Sequence, residues 1–193
     1  MRRLEGMRAV VTGAGAGIGR AIAIRLSQEG ARVVLADVDE EAAQGVAGEL
    51  DGEALVHRVD VTDAGQVEAL VGRAVSGWGG LDAMVNNAGV GIAATTLDTA
   101  MEDYDRVMDV CVRGTFLGMK YALPAIRDSG GGSVTNMSSI AALVGLKDRA
   151  VYCAAKGAIL SLTRAAAVDH IDDGVRVNCI APGTPWTRRG WRA

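Results

Sequence analysis

Short runs rich in β-branched residues, apolar nearly throughout, alternate along the chain with longer segments of helical periodicity. The runs are RAVVTG (8–13), RVVLAD (32–37), ALVHRVD (54–60), LDAMVNNAG (81–89), GSVTNMSS (132–139) and VRVNCIAPG (175–183); GIGRAIAIRLSQEG (17–30) is the helical stretch between the first two. A strand with no polar alternation is buried on both faces, and strands spaced by helices run parallel. The pattern predicts an α/β fold, a doubly wound Rossmann-like parallel sheet of about six strands, as one domain over 1–193. Thr99-x-x-Glu102 reads as a capping box that opens a helix with Tyr104, Val107, Met108 and Cys111 on its apolar face. Gly130, Gly131 and Gly132 then break the chain before the fifth strand.

Ligands of such sheets bind beyond the carboxyl ends of the strands, where the winding reverses. At the first of these ends, VVTGAGAGIGRA (10–21) places Gly13, Gly15, Gly17, Ile18 and Gly19 between strand and helix. Glycines there let backbone approach a pyrophosphate, and the helix presents free N–H groups and its positive dipole end. The second strand ends at Asp37, where a carboxylate accepts hydrogen bonds from both hydroxyls of an adenosine ribose. A 2′-phosphate would be repelled there, and Ala16 and Val38 stand where a basic counterpart would be expected, so NAD is the expected cofactor, with Arg20 the remaining nearby cation. The alternative role for Asp37 is a cap on the helix beginning near Glu40.

Further on, VYCAAKGA (151–158) sets Tyr152 and Lys156 one helical turn apart. With 3 Tyr in 193 residues and Lys equally scarce, chance yields such a pair only about 0.05 times. A phenol is a poor base at neutral pH, and a neighbouring ammonium favours its ionised form, so the pair reads as an acid/base device rather than a snorkelling lysine beside a core tyrosine.

Composition narrows the partners. The chain is 49% hydrophobic with 26 Gly and a net charge of −3, its signs interspersed, which favours neither a nucleic acid nor an anionic membrane. No apolar run is expected to reach the ~20 residues of a membrane helix. Cys111, Cys153 and Cys179 lack metal spacing and are expected as buried free thiols of a cytoplasmic protein, with no metal site.

TGAGAGIG (12–19), DVT (60–62), NNAG (86–89), NMSS (136–139), YCAAK (152–156) and NCIAPG (178–183) together resemble the short-chain dehydrogenases/reductases, in order and in spacing, from about Leu4 to Thr187. The glycine spacing resembles the ordinary dehydrogenase branch. The resemblance implies a tetrameric NAD(P)-dependent alcohol dehydrogenase or ketone reductase. It implies adenine contacts at Asp60 and Val61, and a turn at Asn86, Asn87, Ala88 and Gly89 that supports the cofactor and the central sheet. Ser139 is implied as the hydroxyl that holds the substrate oxygen, with Ser138 in a strand-end role, beside Tyr152 as acid/base and Lys156 as its partner; both of these also contact the cofactor. Pro182 and Gly183 are implied to close over the nicotinamide, with Thr187 at its carboxamide.

The chain departs from the family pattern twice. Cys111 stands in DVCVRGT (109–115) where the family usually has an Asn that holds a water joining the lysine to solvent, and a thiol cannot replace both functions of an amide. The chain also ends at Ala193, soon after the sixth strand, where the family continues into a substrate-binding segment, another helix and a seventh strand. This leads one to expect a lidless pocket, an exposed sheet edge and an incomplete tetramer interface. The expected function is hydride transfer between NAD(H) and a secondary alcohol or ketone, and the alternative is a truncated NAD-binding module with little catalysis. The polar run Lys147, Asp148, Arg149 just before Tyr152 is read as a solvated loop, the alternative being a hint of a sugar or polyol substrate.

Overall fold

The computed structural model describes residues 2–183, and every apolar run becomes a strand. β1 (Arg8–Thr12), β2 (Arg32–Asp37), β3 (Ala54–Arg58), β4 (Ala83–Asn86), β5 (Gly132–Met137) and β6 (Val175–Ile180) form one parallel sheet in the order β3-β2-β1-β4-β5-β6. The helices are α1 (Gly17–Gln28), α2 (Glu40–Ala47), α3 (Ala64–Trp78), α4 (Met101–Met108), α5 (Gly114–Asp128) and α6 (Ala150–Asp169). Winding reverses between β1 and β4, so the crevice opens at their carboxyl ends, Thr12 and Asn86.

Two cores explain why the strands carry no polar alternation. Val10, Val34, Met84, Val134 and Val177 stand in register across five strands on one face and pack with Leu70, Leu117 and Ile126. The alternate positions Val11, Val33, Leu35 and Val85 pack on the other face against Ala23 and Val46. At roughly 1.5–3 kcal/mol for each fully buried side chain, these rows are what holds the strand ends in place.

The structure corrects three expectations. α4 starts at Met101 with Ala100 in the cap position and no side-chain cap; the Thr99 hydroxyl instead donates to the Thr95 carbonyl at 2.7 Å. Local turn geometry takes the hydroxyl that a capping box would use. Cys111 is buried as expected, but Cys153 and Cys179 are only half-buried, and all three are unpaired. α6, at 20 residues and a mean hydropathy of 1.2, is long and apolar enough by length and composition to cross a membrane. Its buried positions, Val151, Ala155, Lys156, Ile159 and Thr163, are turned toward the protein, and it packs on β5 and β6.

Candidate active site

The turn after β1 is held by the loop after β4. The Thr12 hydroxyl accepts from the backbone N–H groups of Asn87 (3.0 Å) and Ala88 (3.1 Å), and the Asn87 side-chain amide donates to the carbonyls of Thr12 (2.9 Å) and Gly13 (3.1 Å). A Cβ on Gly13 would lie 2.9 Å from Asn87 Nδ2, and one on Gly15 would lie 2.9 Å from Ala42 Cβ and 3.0 Å from Asp37 Oδ2. Those glycines, and Gly19 against the Gly13 carbonyl, are therefore required by the packing of the turn itself. Gly17, at φ +57° and so left-handed like Gly13, differs in bordering open space, so its backbone conformation alone calls for glycine.

α1 begins there with Ala16 as a cap that offers no side-chain acceptor, so the N–H groups of its first turn keep their hydrogen-bonding capacity. Ala16, Gly17 and Ile18 border a cavity of about 460 Å³, together with Asp37, Asp60, Val61 and Ala88. Open glycine backbone, an uncapped helix start and a carboxylate at the next strand end fit the pyrophosphate and ribose of a dinucleotide.

Asp37 is not the helix cap. Asp39 takes that role, accepting from Ala42 N at 3.0 Å, while Asp37 accepts from Gly15 N at 2.8 Å and Asp39 N at 3.1 Å. Its carboxylate thus fixes the glycine turn from the neighbouring strand. Arg20 forms an ion pair with Glu49, and the exposed Arg58 lies opposite Asp37 in register on β3. Asp60 is exposed and accepts from Thr62 N (2.9 Å) and Oγ1 (2.8 Å), and Val61 packs under Gly114 at the start of α5.

A second cavity, of about 570 Å³, shares Ile18, Asn87, Gly89 and Val90 with the first, and Ser139, Tyr152, Lys156, Arg149, Pro182 and Gly183 also line it. β5 ends one residue before Ser138, whose hydroxyl donates to the Lys156 carbonyl at 2.8 Å, so the strand end is tied to α6. The Ser139 hydroxyl accepts from Ala141 N at 3.2 Å and also faces the Tyr152 phenol. Lys156, 4% exposed, donates to the Met137 carbonyl at 2.8 Å. Its Nζ lies over the Tyr152 ring, 5.6 Å from the centroid.

This geometry changes the expected electrostatics. Burial raises the Tyr152 pKa above the usual phenol value, and a hydrogen bond from Ser139 and the charge of Arg149 oppose that shift; Lys156 meets the face of the ring rather than the hydroxyl. Burial likewise lowers the pKa of Lys156. Gly91 packs against the ring, a Cβ there being 3.0 Å from Tyr152 Cδ2.

α4 and α5 are joined by a π-turn, Asp109–Arg113, and this places Cys111 inward, with its thiol donating to the Val90 carbonyl at 3.3 Å. A Cβ on Gly89 would lie 3.3 Å from Lys156 Nζ and 3.5 Å from Cys111 Sγ, so thiol and ammonium flank the same glycine.

Within the turn at 86–89, Asn86 faces the sheet rather than the crevice. It is buried within β4 and donates to Asn136 Oδ1 at 2.8 Å, and Asn136 in turn donates to Thr163 Oγ1 at 3.0 Å; Asn87, the next residue, reaches the crevice. Strand pleat sends adjacent side chains to opposite faces. Thr187 lies outside the described residues. Thr12 and Gly91 belong to the site without having been singled out for it, and Arg149, from the run read as a solvated loop, lines its cavity. Thr12 lies at a strand end and Gly91 in the loop after β4, where only the fold brings them near Asn87 and Tyr152.

The sequence profile of the family described as short chain dehydrogenase matches residues 7–191. The chain is 41% identical over 192 residues to meso-2,3-butanediol dehydrogenase of Serratia marcescens, covering 98% of this chain and 76% of that protein. It is 40% identical over 179 residues to cyclohexanol dehydrogenase of Acinetobacter sp. (strain SE19), covering 91% and 71% respectively. The crystal structure of levodione reductase superposes with a TM-score of 0.93 at 36% identity, over 96% of this chain and 74% of that one.

Proposed function

The chain belongs to the short-chain dehydrogenase/reductase family, and from that premise we propose that it moves hydride between NAD(H) and a secondary alcohol or ketone, with Tyr152 as general acid/base. It is an oxidoreductase of that substrate class; the cofactor identity and the residue roles are our reading. The observation that carries them is the convergence of Ser139, Tyr152 and Lys156 on one cavity that shares the lining residues Ile18, Asn87 and Gly89 with the glycine-turn cavity.

Bound along the glycine turn, a nicotinamide dinucleotide supplies the hydride acceptor or donor. The turn of Gly13, Gly15, Gly17, Ile18 and Gly19 would hold its pyrophosphate, Asp37 its ribose, and Asp60 and Val61 its adenine. Asn87, Ala88, Gly89, Pro182 and Gly183 would flank the reacting end, with Thr187 following in sequence. Tyr152 Oη takes the substrate hydroxyl proton as the carbinol C–H bond gives up its hydride, and returns that proton to the oxygen when a ketone is reduced. Ser139 donates to the substrate oxygen and stabilises the charge that develops there. Because burial keeps Tyr152 protonated, it is a ready acid for reduction, whereas oxidation speeds up as pH rises.

NAD over NADP is supported by the Asp37 carboxylate and by the engagement of Arg20 with Glu49, while Arg58 is the cation on the adjacent strand. Exposed Met101, Tyr104 and Phe116 on α4 and α5 support a homo-oligomer, and three unpaired thiols suit a cytoplasmic location. Titrating NAD and NADP, and following NADH formation on secondary alcohols and diols with Tyr152→Phe as control, tests the reading. Expected are tighter NAD binding and turnover that falls at least about 100-fold in the variant. NADP preference would overturn the cofactor assignment; NAD binding without Tyr152-dependent turnover would leave a nucleotide-binding module.

A further inference from the structure

Arg149 is an unexpected residue for its position. It occupies the cap position of α6, which has no capping side chain and no acidic residue in its first turn. A positive charge there opposes the helix dipole, so helix stability does not account for it. The residue before it, Asp148, is the one non-glycine at positive φ among the described residues, at 54°. Such a conformation is locally unfavourable and persists only where the surrounding structure enforces it.

That surrounding structure is the cavity wall. Ala94 N donates to the Asp148 carbonyl at 2.9 Å, and Ala94 and Arg149 form a parallel bridge. Arg149 Nη1 reaches the carbonyls of Asp148 (3.0 Å) and Ile92 (3.3 Å), so the guanidinium is braced against the segment that forms one side of the cavity. Among the described residues no carboxylate pairs with it, and its Nε and Nη2 have no protein acceptor. Residues 184–193 contain no Asp or Glu. The cavity therefore carries two cationic side chains, Arg149 and Lys156, and no acidic one; Lys156 is occupied with Met137 and the tyrosine ring.

We propose that Arg149 binds an anionic group of the substrate, a carboxylate set a few bonds from the reacting carbinol carbon, so that short hydroxy- and oxocarboxylates are favoured over neutral alcohols. The inference rests on the assignment of Tyr152 as the group facing the reacting oxygen. Arg149 stands three residues before Tyr152 at the start of α6, and both side chains line the same cavity, so one short hydroxy acid can reach Tyr152 with its hydroxyl and Arg149 with its carboxylate. A planar guanidinium with free N–H groups matches a carboxylate in geometry as well as charge.

The test compares lactate, 3-hydroxybutyrate and 4-hydroxypentanoate with their primary amides, and with 2-butanol, on wild type, Arg149→Gln and Arg149→Lys. For at least one chain length the acid is expected to exceed its amide in kcat/KM by about 10- to 100-fold. The preference is expected to collapse in Arg149→Gln through KM and to be partly kept in Arg149→Lys. Equal use of acid and amide by wild type, or a loss in Arg149→Gln that is the same for both, would overturn the proposal. Isothermal titration of the same acids and amides separates it from the catalytic reading. Arg149-dependent acid binding without turnover of any compound would sink the catalytic reading and sustain this one; turnover of 2-butanol with no Arg149-dependent acid binding would do the reverse.

Discussion

Lys156 holds its ammonium over the ring of Tyr152, 5.6 Å from the centroid, while donating 2.8 Å to the Met137 carbonyl. The lysine is thereby anchored to the end of β5, and its charge acts on the tyrosine through the ring face. Lys156→Met is expected to lower kcat about 100-fold or more and to move the alkaline limb of alcohol oxidation to higher pH. A pH profile of kcat measures both, and an unchanged limb would dissociate the ammonium from the phenol.

Asp37 accepts from the Gly15 amide, so it shapes the turn as well as facing the cavity. Asp37→Asn is expected to weaken NAD binding by about tenfold and to narrow the NAD-to-NADP ratio, since the like charge that would oppose a 2′-phosphate is gone. Fluorescence titration with both nucleotides reads this, and a ratio that stays constant would count against the assignment.

Gly91 abuts the tyrosine ring. In Gly91→Ala the new methyl would lie 3.0 Å from Tyr152 Cδ2, which forces the ring to move by a few tenths of an ångström. Turnover is expected to fall about tenfold with nucleotide affinity intact, because misplacement at the reacting group costs rate before it costs binding. Equal kcat in wild type and variant would mean the ring accommodates the methyl without consequence.

Cys111 sits in the π-turn beside Gly89 and Lys156, bonded to the Val90 carbonyl. A thiol is a weak donor and a poor acceptor, so Cys111→Asn is expected to raise turnover by restoring a group that can both donate and accept near the lysine. A rate that stays flat or drops in single-turnover and steady-state assays would reject the relay.

Arg8 and Asp82 tie β1 to the start of β4 through Nε–Oδ2 (2.8 Å) and Nη2–Oδ1 (2.6 Å) bonds, with the Arg8 backbone N–H adding a third at 2.8 Å. The Arg8 hydrogen bonds hold the Asp82 pKa below its usual 3.8. A depressed carboxyl stabilises the fold above its unfolded pKa, and that stability disappears as pH falls through the folded value. Wild type is expected to lose up to about 1 kcal/mol more than Asp82→Asn between pH 5 and pH 3, most of it below pH 4, read by urea denaturation at each pH. Parallel losses would show that the pair is not what titrates.

The strands, their parallel order and the crevice could be read from the amino acids because burial on both faces leaves a run with no polar alternation, and the spacing of such runs admits few topologies. The glycine turn and the Tyr152–Lys156 pair were legible for a related reason: both are local, one a turn and the other a single helical step. Long-range contacts decided the rest. Asn86 and Asn87 are neighbours in sequence, yet the pleat seals one against Asn136 and gives the other to the crevice. Gly13 and Gly15 read as ligand clearances, but their closest neighbours are Asn87 from the loop after β4 and Ala42 of α2, with Asp37 of β2 next to it. Arg149 read as part of a solvated loop until its bridge to Ala94 turned it into the cavity wall. Short-range periodicity reports which face of an element is buried; which residue of another element comes to meet that face is a property of the assembled sheet alone.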